Sequence, residues 1–207
     1  MSVSKFGNNN DSDIVGEKLY VKYMVCLRDK MIVQSELDRL GLTFRMSDQG
    51  AIEFLDEITK IQYNELKKGL SKSGLILLEG QESMLIDRII NTILEVIHHS
   101  DKLPKISFTD IINEQKEMRG ESILKIFSDV KGMSVIQFIV IHKIERAKEL
   151  LLYENRSLPE IADILNYKNQ DYLVVQFKKL SGLTPAYFMK LKNERRKLLL
   201  KAQKIST

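Results

Sequence analysis

The chain reads as an α+β protein: a small βαββαβ domain followed by an all-α domain in which two helix-turn-helix units are joined by one long helix. Three observations predict this. The second half matches itself at an offset of fifty residues, its apolar residues recur at helical spacing, and the first eighty residues mix short strand-like runs with two helical stretches. At 207 residues the chain has room for two small domains.

The elements follow in order. Residues 1–16 are polar and are expected to form a disordered tail; Ser2 to Asp13 lacks a signal-peptide core. Glu17 to Val25 alternates in strand fashion, with Leu19, Val21, Tyr23 and Val25 on one side. Leu27 to Leu40 reads as a helix that Gly41 ends. Leu42 to Ser47 and Ala51 to Leu55 are expected strands, Thr59 to Lys72 a helix with Ile61, Leu66 and Leu70 inward, and Leu75 to Leu78 a short buried strand. Residues 17–80 thus have the order of a ferredoxin-like module.

Met24-Val25-Cys26 ends the first strand of this module, and with the element order it resembles the heavy-metal-associated domain of copper carriers. The resemblance implies two cysteines at a spacing of three, whose thiolates hold a soft ion. Here the second position is Asp29, so the loop reads as a relic and no metal site is expected.

The all-α domain is expected over residues 81–193, with units at about 107–130 and 157–181. Its opening helix, Gln81 to His98, carries Leu85, Ile89, Ile93 and Ile97. His98 and His99 point in different directions and decorate the helix C-terminus, where positive charge is favourable. The repeat pairs Ser107, Phe108, Asp110 and Ile111 with Ser157, Leu158, Glu160 and Ile161. Further on it pairs Ile123, Phe127, Val130, Gly132, Met133, Ser134 and Phe138 with Leu173, Phe177, Leu180, Gly182, Leu183, Thr184 and Phe188. In the second copy, Ser157-Leu158-Pro159-Glu160 is a capping box with proline in the first turn. Ile161, Ile164 and Leu165 share one face, Ala162 lets another helix approach, and Asn166 tolerates the left-handed turn. The next helix, from about Asn169 to Ser181, buries Leu173, Phe177 and Leu180, and Gly182 stops it. A last helix begins near Ala186. This outline is that of a helix-turn-helix, whose first expected activity is DNA binding.

These residues also carry a family resemblance. Ile144-Glu145-Arg146-Ala147-Lys148-Glu149-Leu150-Leu151, Ile161-Ala162, Asn166-Tyr167, Gln176-Phe177-Lys178-Lys179 and Gly182-Leu183-Thr184-Pro185 resemble the AraC/XylS family of bacterial transcription regulators over about residues 83 to 192. The resemblance implies a seven-helix, sequence-specific DNA-binding domain with a linking helix at about Val135 to Tyr153. Lys168 departs from a usual serine cap, and the first unit departs further, at Ile112, Glu117, Met118 and Gly120. A glycine near the start of a recognition helix costs about 1 kcal/mol relative to alanine.

Charge agrees with this division. The chain carries +4 overall, but residues 168–207 carry ten lysines and arginines against Asp171 and Glu194, a net of +8, which leaves −4 for the rest. Basic residues concentrated there offset phosphate charge and release counterions. Lys125, Lys178 and Lys179 are expected on phosphates, Asn169, Gln170 and Arg119 at base edges, and Val174 on a thymine methyl. Ser122 and Val175 complete the expected DNA-binding set. Residues 194–207 read as a basic C-terminal tail. Two recognition helices held on one side of the duplex would enter successive major grooves about 34 Å apart.

No apolar run approaches the roughly 20 residues of a membrane span, and one cysteine excludes an internal disulfide framework. Phosphate-cradling glycine loops, nucleophile elbows and zinc-protease pairs are absent from the sequence, so no catalytic residue and no cofactor are expected. The expected setting is a bacterial cytoplasm. Double-stranded DNA is the expected partner, with RNA polymerase and a second copy of the chain as further candidates. The rival reading is a regulatory module that binds a protein or small ligand and whose first unit no longer touches DNA specifically.

Overall fold

In the computed structural model of the chain, residues 18–47, 50–104 and 123–205 are described, the last seven of them by backbone alone. The elements run β1 (Lys18–Leu19), β2 (Val21–Lys22), α1 (Leu27–Arg39), β3 (Phe44–Met46), β4 (Ile52–Phe54), α2 (Lys60–Lys72), β5 (Ile76–Leu77) and α3 (Gly80–His99). After residues 105–122 come α4 (Ile123–Lys131), α5 (Val135–Leu152), α6 (Leu158–Ile164), α7 (Gln170–Ser181) and α8 (Pro185–Ile205). No helix among the described residues is long and apolar enough to cross a membrane. The expected disordered tail and the leading part of the first helix-turn-helix unit, from Ser107 through Ile112, Glu117, Met118, Arg119 and Gly120 to Ser122, lie outside the described residues.

Two compact units divide the chain: residues 1–89 with 118–135, and 90–117 with 136–207. The division runs through α3 and assigns α4 to the unit that holds the strands.

In the first unit, β4 lies between β1 and β3, and β2 pairs with β5, all antiparallel, with Leu19 opposite Ile52, Phe44 opposite Phe54 and Val21 opposite Leu77. The strand expected over Glu17 to Val25 is therefore two short strands broken at Tyr20, and it does not alternate. Leu19, Tyr20, Val21 and Lys22 are all buried, whereas Tyr23 and Val25 are exposed. The cause is cover beyond the sheet itself. The Tyr20 amide donates to Ser83 Oγ (3.2 Å) and its hydroxyl to Asp87 Oδ1 (3.0 Å), both on α3, while α4 lies against β2. A strand covered on both faces loses the period of two. Burial, then the Asp87 carboxylate, pushes the Tyr20 phenol well above its ordinary range.

α1 and α2 close the unit with Val33, Leu37, Leu66 and Leu70, none of them accessible. Thr59 caps α2, accepting from the Gln62 amide (3.2 Å) while Gln62 Oε1 accepts from the Thr59 amide (3.0 Å). Ile61, expected inward, is 75% exposed. Five residues before Leu66 is about 140° around the helix, so the spacing itself turns it outward.

Lys131, in the last turn of α4, is pushed down to about 8 by burial and then by the neighbouring charge of Lys30. The folded value lies below the unfolded 10.5, so the unfolded chain binds more protons between the two, and stability rises with pH across about 8 to 10.5. Lys131→Met should flatten that rise, measured as denaturant midpoints at pH 7.5 and pH 10; an unchanged slope would locate the pH dependence elsewhere.

In the second unit Ile93 and Ile97 of α3, Leu103, Ile144, Ala147, Leu150 and Leu151 of α5, and Ile161, Ala162 and Leu165 beyond are all buried. Leu103 N–H donates to the Ile164 carbonyl (2.8 Å), and Lys102 pairs with Asp163 at 2.6 Å. His98 does more than decorate a helix end, since its Nδ1 lies 3.3 Å from Glu149 Oε2, which Arg146 also holds at 3.2 Å. The stretch read as a basic tail continues α8 as helix to Ile205. Within α8, Lys192 reaches the carbonyls of Leu151 (3.3 Å) and Leu152, capping the end of α5, where a cation offsets the helix dipole. Lys192→Ala should therefore cost about 1 kcal/mol in urea unfolding.

Candidate nucleic-acid interface

Local sequence signals build the second helix-turn-helix. At the start of α6, Glu160 Oε2 accepts from the Ser157 amide (2.8 Å) and hydroxyl (2.6 Å), and these bonds hold its carboxyl below the ordinary range. The turn is made by Asn166 at φ 50°, after which the Tyr167 amide donates back to the Ala162 carbonyl (2.8 Å). Asn169 caps α7 by accepting from the Tyr172 amide (2.9 Å), and Gly182 ends the helix at φ 75°. Glycine adopts that conformation without the penalty a side chain carries.

Leu173 and Phe177 anchor α7 with no accessible surface, and the Phe177 ring meets Phe188 edge-on at 5.6 Å. Leu180, expected on the same buried stripe, is 43% exposed. It lies in the last turn of α7. The outer face presents Gln170, Val175, Lys178 and Lys179, all exposed, with Val174 half-buried beside them. Asn169 is exposed too, but its carbonyl oxygen serves the cap, so only its amide N–H groups remain to meet a ligand. The expected DNA-binding residues from Asn169 to Lys179 thus lie along a single rigid element.

Two tyrosines flank the start of this helix; Tyr167 belongs to the Asn166-Tyr167 pair of the sequence motif, whereas no motif points to Tyr172. Tyr167 and Tyr172 lie 6.3 Å apart, and the Lys143 ammonium sits 5.2 Å from the Tyr167 ring. Burial pushes Lys143 down and Tyr167 up. In the sequence Lys143 stands far from the two tyrosines, with no shared spacing to connect them.

The first unit is different. Of its expected DNA-binding residues, Arg119 and Ser122 lie outside the described residues, and Lys125 is exposed on α4, in the other compact unit. At the fifty-residue offset, Ser128 and Asp129 stand where α7 has Lys178 and Lys179. Gly132 repeats the left-handed stop of Gly182 at φ 64°.

The loop from Cys26 to Asp29 also has a structural account. Asp29 accepts from the amides of Cys26 (2.9 Å) and Val25 (3.0 Å), and the Cys26 thiol, followed by the Cys26 amide, holds its carboxyl below the ordinary range. A carboxylate here completes the capping box of α1, with Cys26 at the cap. Among the described residues no group of three or more His, Cys, Asp or Glu side chains is placed to hold a metal ion.

Comparison with known proteins matches residues 117–190 to the family described as "Helix-turn-helix domain". The chain is 26% identical to the bifunctional transcriptional activator/DNA repair enzyme AdaA of Bacillus subtilis (strain 168), over 44% of this chain and 52% of that protein. It is 27% identical to the HTH-type transcriptional regulator YtdP of the same organism, over 50% of this chain and 13% of that protein. Among solved structures, the DNA-binding domain of AdpA, in complex with a target DNA, is similar at 18% identity and a TM-score of 0.46, over 54% of this chain and 95% of that one. The chain spans about half the length of the first of these relatives and a small part of the second.

Proposed function

We propose, for a chain whose residues 117–190 carry an AraC-type helix-turn-helix domain, that it is a sequence-specific DNA-binding transcription regulator acting in a bacterial cytoplasm. The observation that carries this reading is the outer face of α7: an amide, two lysines and an exposed valine on a helix fixed from behind by Leu173 and Phe177. Lys178 and Lys179 position the helix on phosphates. Gln170 reads a base edge, since its amide both donates and accepts as adenine requires in the major groove, and Val174 or Val175 meets a thymine methyl. Lys168 and the lysines and arginines of α8 add to the counterion release that drives binding.

The AdaA and YtdP names support a role in transcription, and RNA polymerase and a second copy of the chain are the further partners this reading carries. The strand and helix order of residues 17–80 is read as a ferredoxin-like sensing or self-association domain. Entry of both recognition helices into successive grooves belongs to the same proposal for the family at large. Asp129 at the counterpart of Lys179 favours a version in which the first unit no longer binds DNA specifically.

Gln170→Ala tests the reading. Binding to a selected duplex should weaken by about 1–3 kcal/mol while binding to random duplex stays nearly the same. Equal losses on both duplexes would show that Gln170 positions rather than specifies.

A further inference from the structure

α4 is the counterpart of α7, yet its surface is finished differently. Val130 is 6% exposed where Leu180 is 43% exposed, and Ile126 is fully buried where Gln176 is half-buried. Asp129 is half-buried where Lys179 is exposed, and its Oδ2 is buried without a hydrogen-bond partner among the described residues. The flank that α7 leaves open is therefore covered in α4. The cover is identifiable: α4 lies against β2, the Tyr23 amide donates to the Asp129 carbonyl at 2.7 Å, and a Cβ at Gly132 would stand 3.0 Å from Val25 Cγ1. Tyr23 itself has φ 67°, a conformation non-glycine residues adopt rarely, and it is held there where the two elements meet.

Resting on the reading above, we propose that the recognition helix of the first unit is a docking helix whose partner is the β2–α1 segment of the same chain, so that DNA is read by the second unit alone. Three features of α4 suit that role and oppose groove binding. Its added burial is apolar, at Ile126 and Val130. The two lysines of α7 are replaced by Ser128 and Asp129, so α4 offers phosphates no cation at these two positions. The bond from Tyr23 to Asp129 ties the backbone of α4 to the strand-bearing domain before the chain turns at Gly132 into α5.

A disulfide tests this directly in the full chain. A Cβ placed on Gly132 lies 3.5 Å from Val25 Cβ, within the roughly 3.5–4.5 Å that disulfides span. Val25→Cys with Gly132→Cys, in a Cys26→Ser background, should form the bond on mild oxidation. The locked protein should bind its selected duplex within about twofold of the reduced form, and protect about one helical turn, roughly 10 bp. Lys125→Ala should leave its salt dependence unchanged. A tenfold loss on locking, or protection of two turns that Lys125→Ala shortens, would overturn the proposal. If the pair does not oxidise, hydrogen exchange of the wild-type chain decides: α4 amides should be equally protected with and without DNA, and their release on binding would overturn it. Failure of the broader reading is distinguishable, because then Lys178→Ala with Lys179→Ala would not weaken binding either.

Discussion

Phe177→Ala is expected to lower the stability of the unit that holds α7 by about 3–5 kcal/mol, the range for removing an aromatic side chain from a packed core. Phe177 has no accessible surface and stacks edge-on with Phe188, so its loss opens a cavity and deletes an aromatic pair together. Domains are typically stable by only about 5–15 kcal/mol, so this is a large fraction of the total. DNA binding should disappear at temperatures where the wild type still binds, because α7 loses the anchor behind its outer face. Val175→Ala, on the exposed side, should change stability by no more than about 0.5 kcal/mol. Urea melts of the two variants, followed by far-ultraviolet circular dichroism, check the contrast. A Phe177→Ala midpoint within error of wild type would mean that α7 is not seated as described.

Lys178→Ala combined with Lys179→Ala should flatten the dependence of log affinity on log salt by roughly 2, about one unit for each phosphate no longer neutralised. Both side chains are exposed in the last turn of α7, where they also offset the helix dipole. Part of any fall in stability has that origin, and the salt slope separates it from weakened phosphate binding. The measurement is a fluorescence-anisotropy titration at several salt concentrations, with Lys125→Ala alongside. An unchanged slope in the double variant would reject the role of the two lysines on phosphates.

Legibility in the sequence follows the range of the interaction that fixes each feature. Caps and stops are readable because their partners sit three or four residues away: Thr59 with Gln62, Ser157 with Glu160, and the left-handed turns at Asn166 and Gly182. The helices fall close to their expected bounds for the same reason. The errors lie where a distant element decides. Glu17 to Val25 keeps its strand signal but loses its alternation to cover from α3 and α4. Lys192 counts as one more basic residue until the end of α5 comes within its reach. For the candidate site, the outer face of α7 is legible from helical spacing, whereas the docking of α4 on β2 is not. Its traces in the sequence are Ile126, Ser128 and Asp129 at the positions of Gln176, Lys178 and Lys179, which the fifty-residue repeat exposes only when the two copies are compared side chain by side chain.

The most direct measurement is selection of genomic fragments by the full chain, followed by competition of the recovered site against random duplex at physiological salt. A specific regulator should prefer the recovered site by at least about a thousandfold, and Gln170→Ala should erase about one to two decades of that ratio. Recovery of no common sequence, or a ratio near one that Gln170→Ala leaves untouched, would contradict the account.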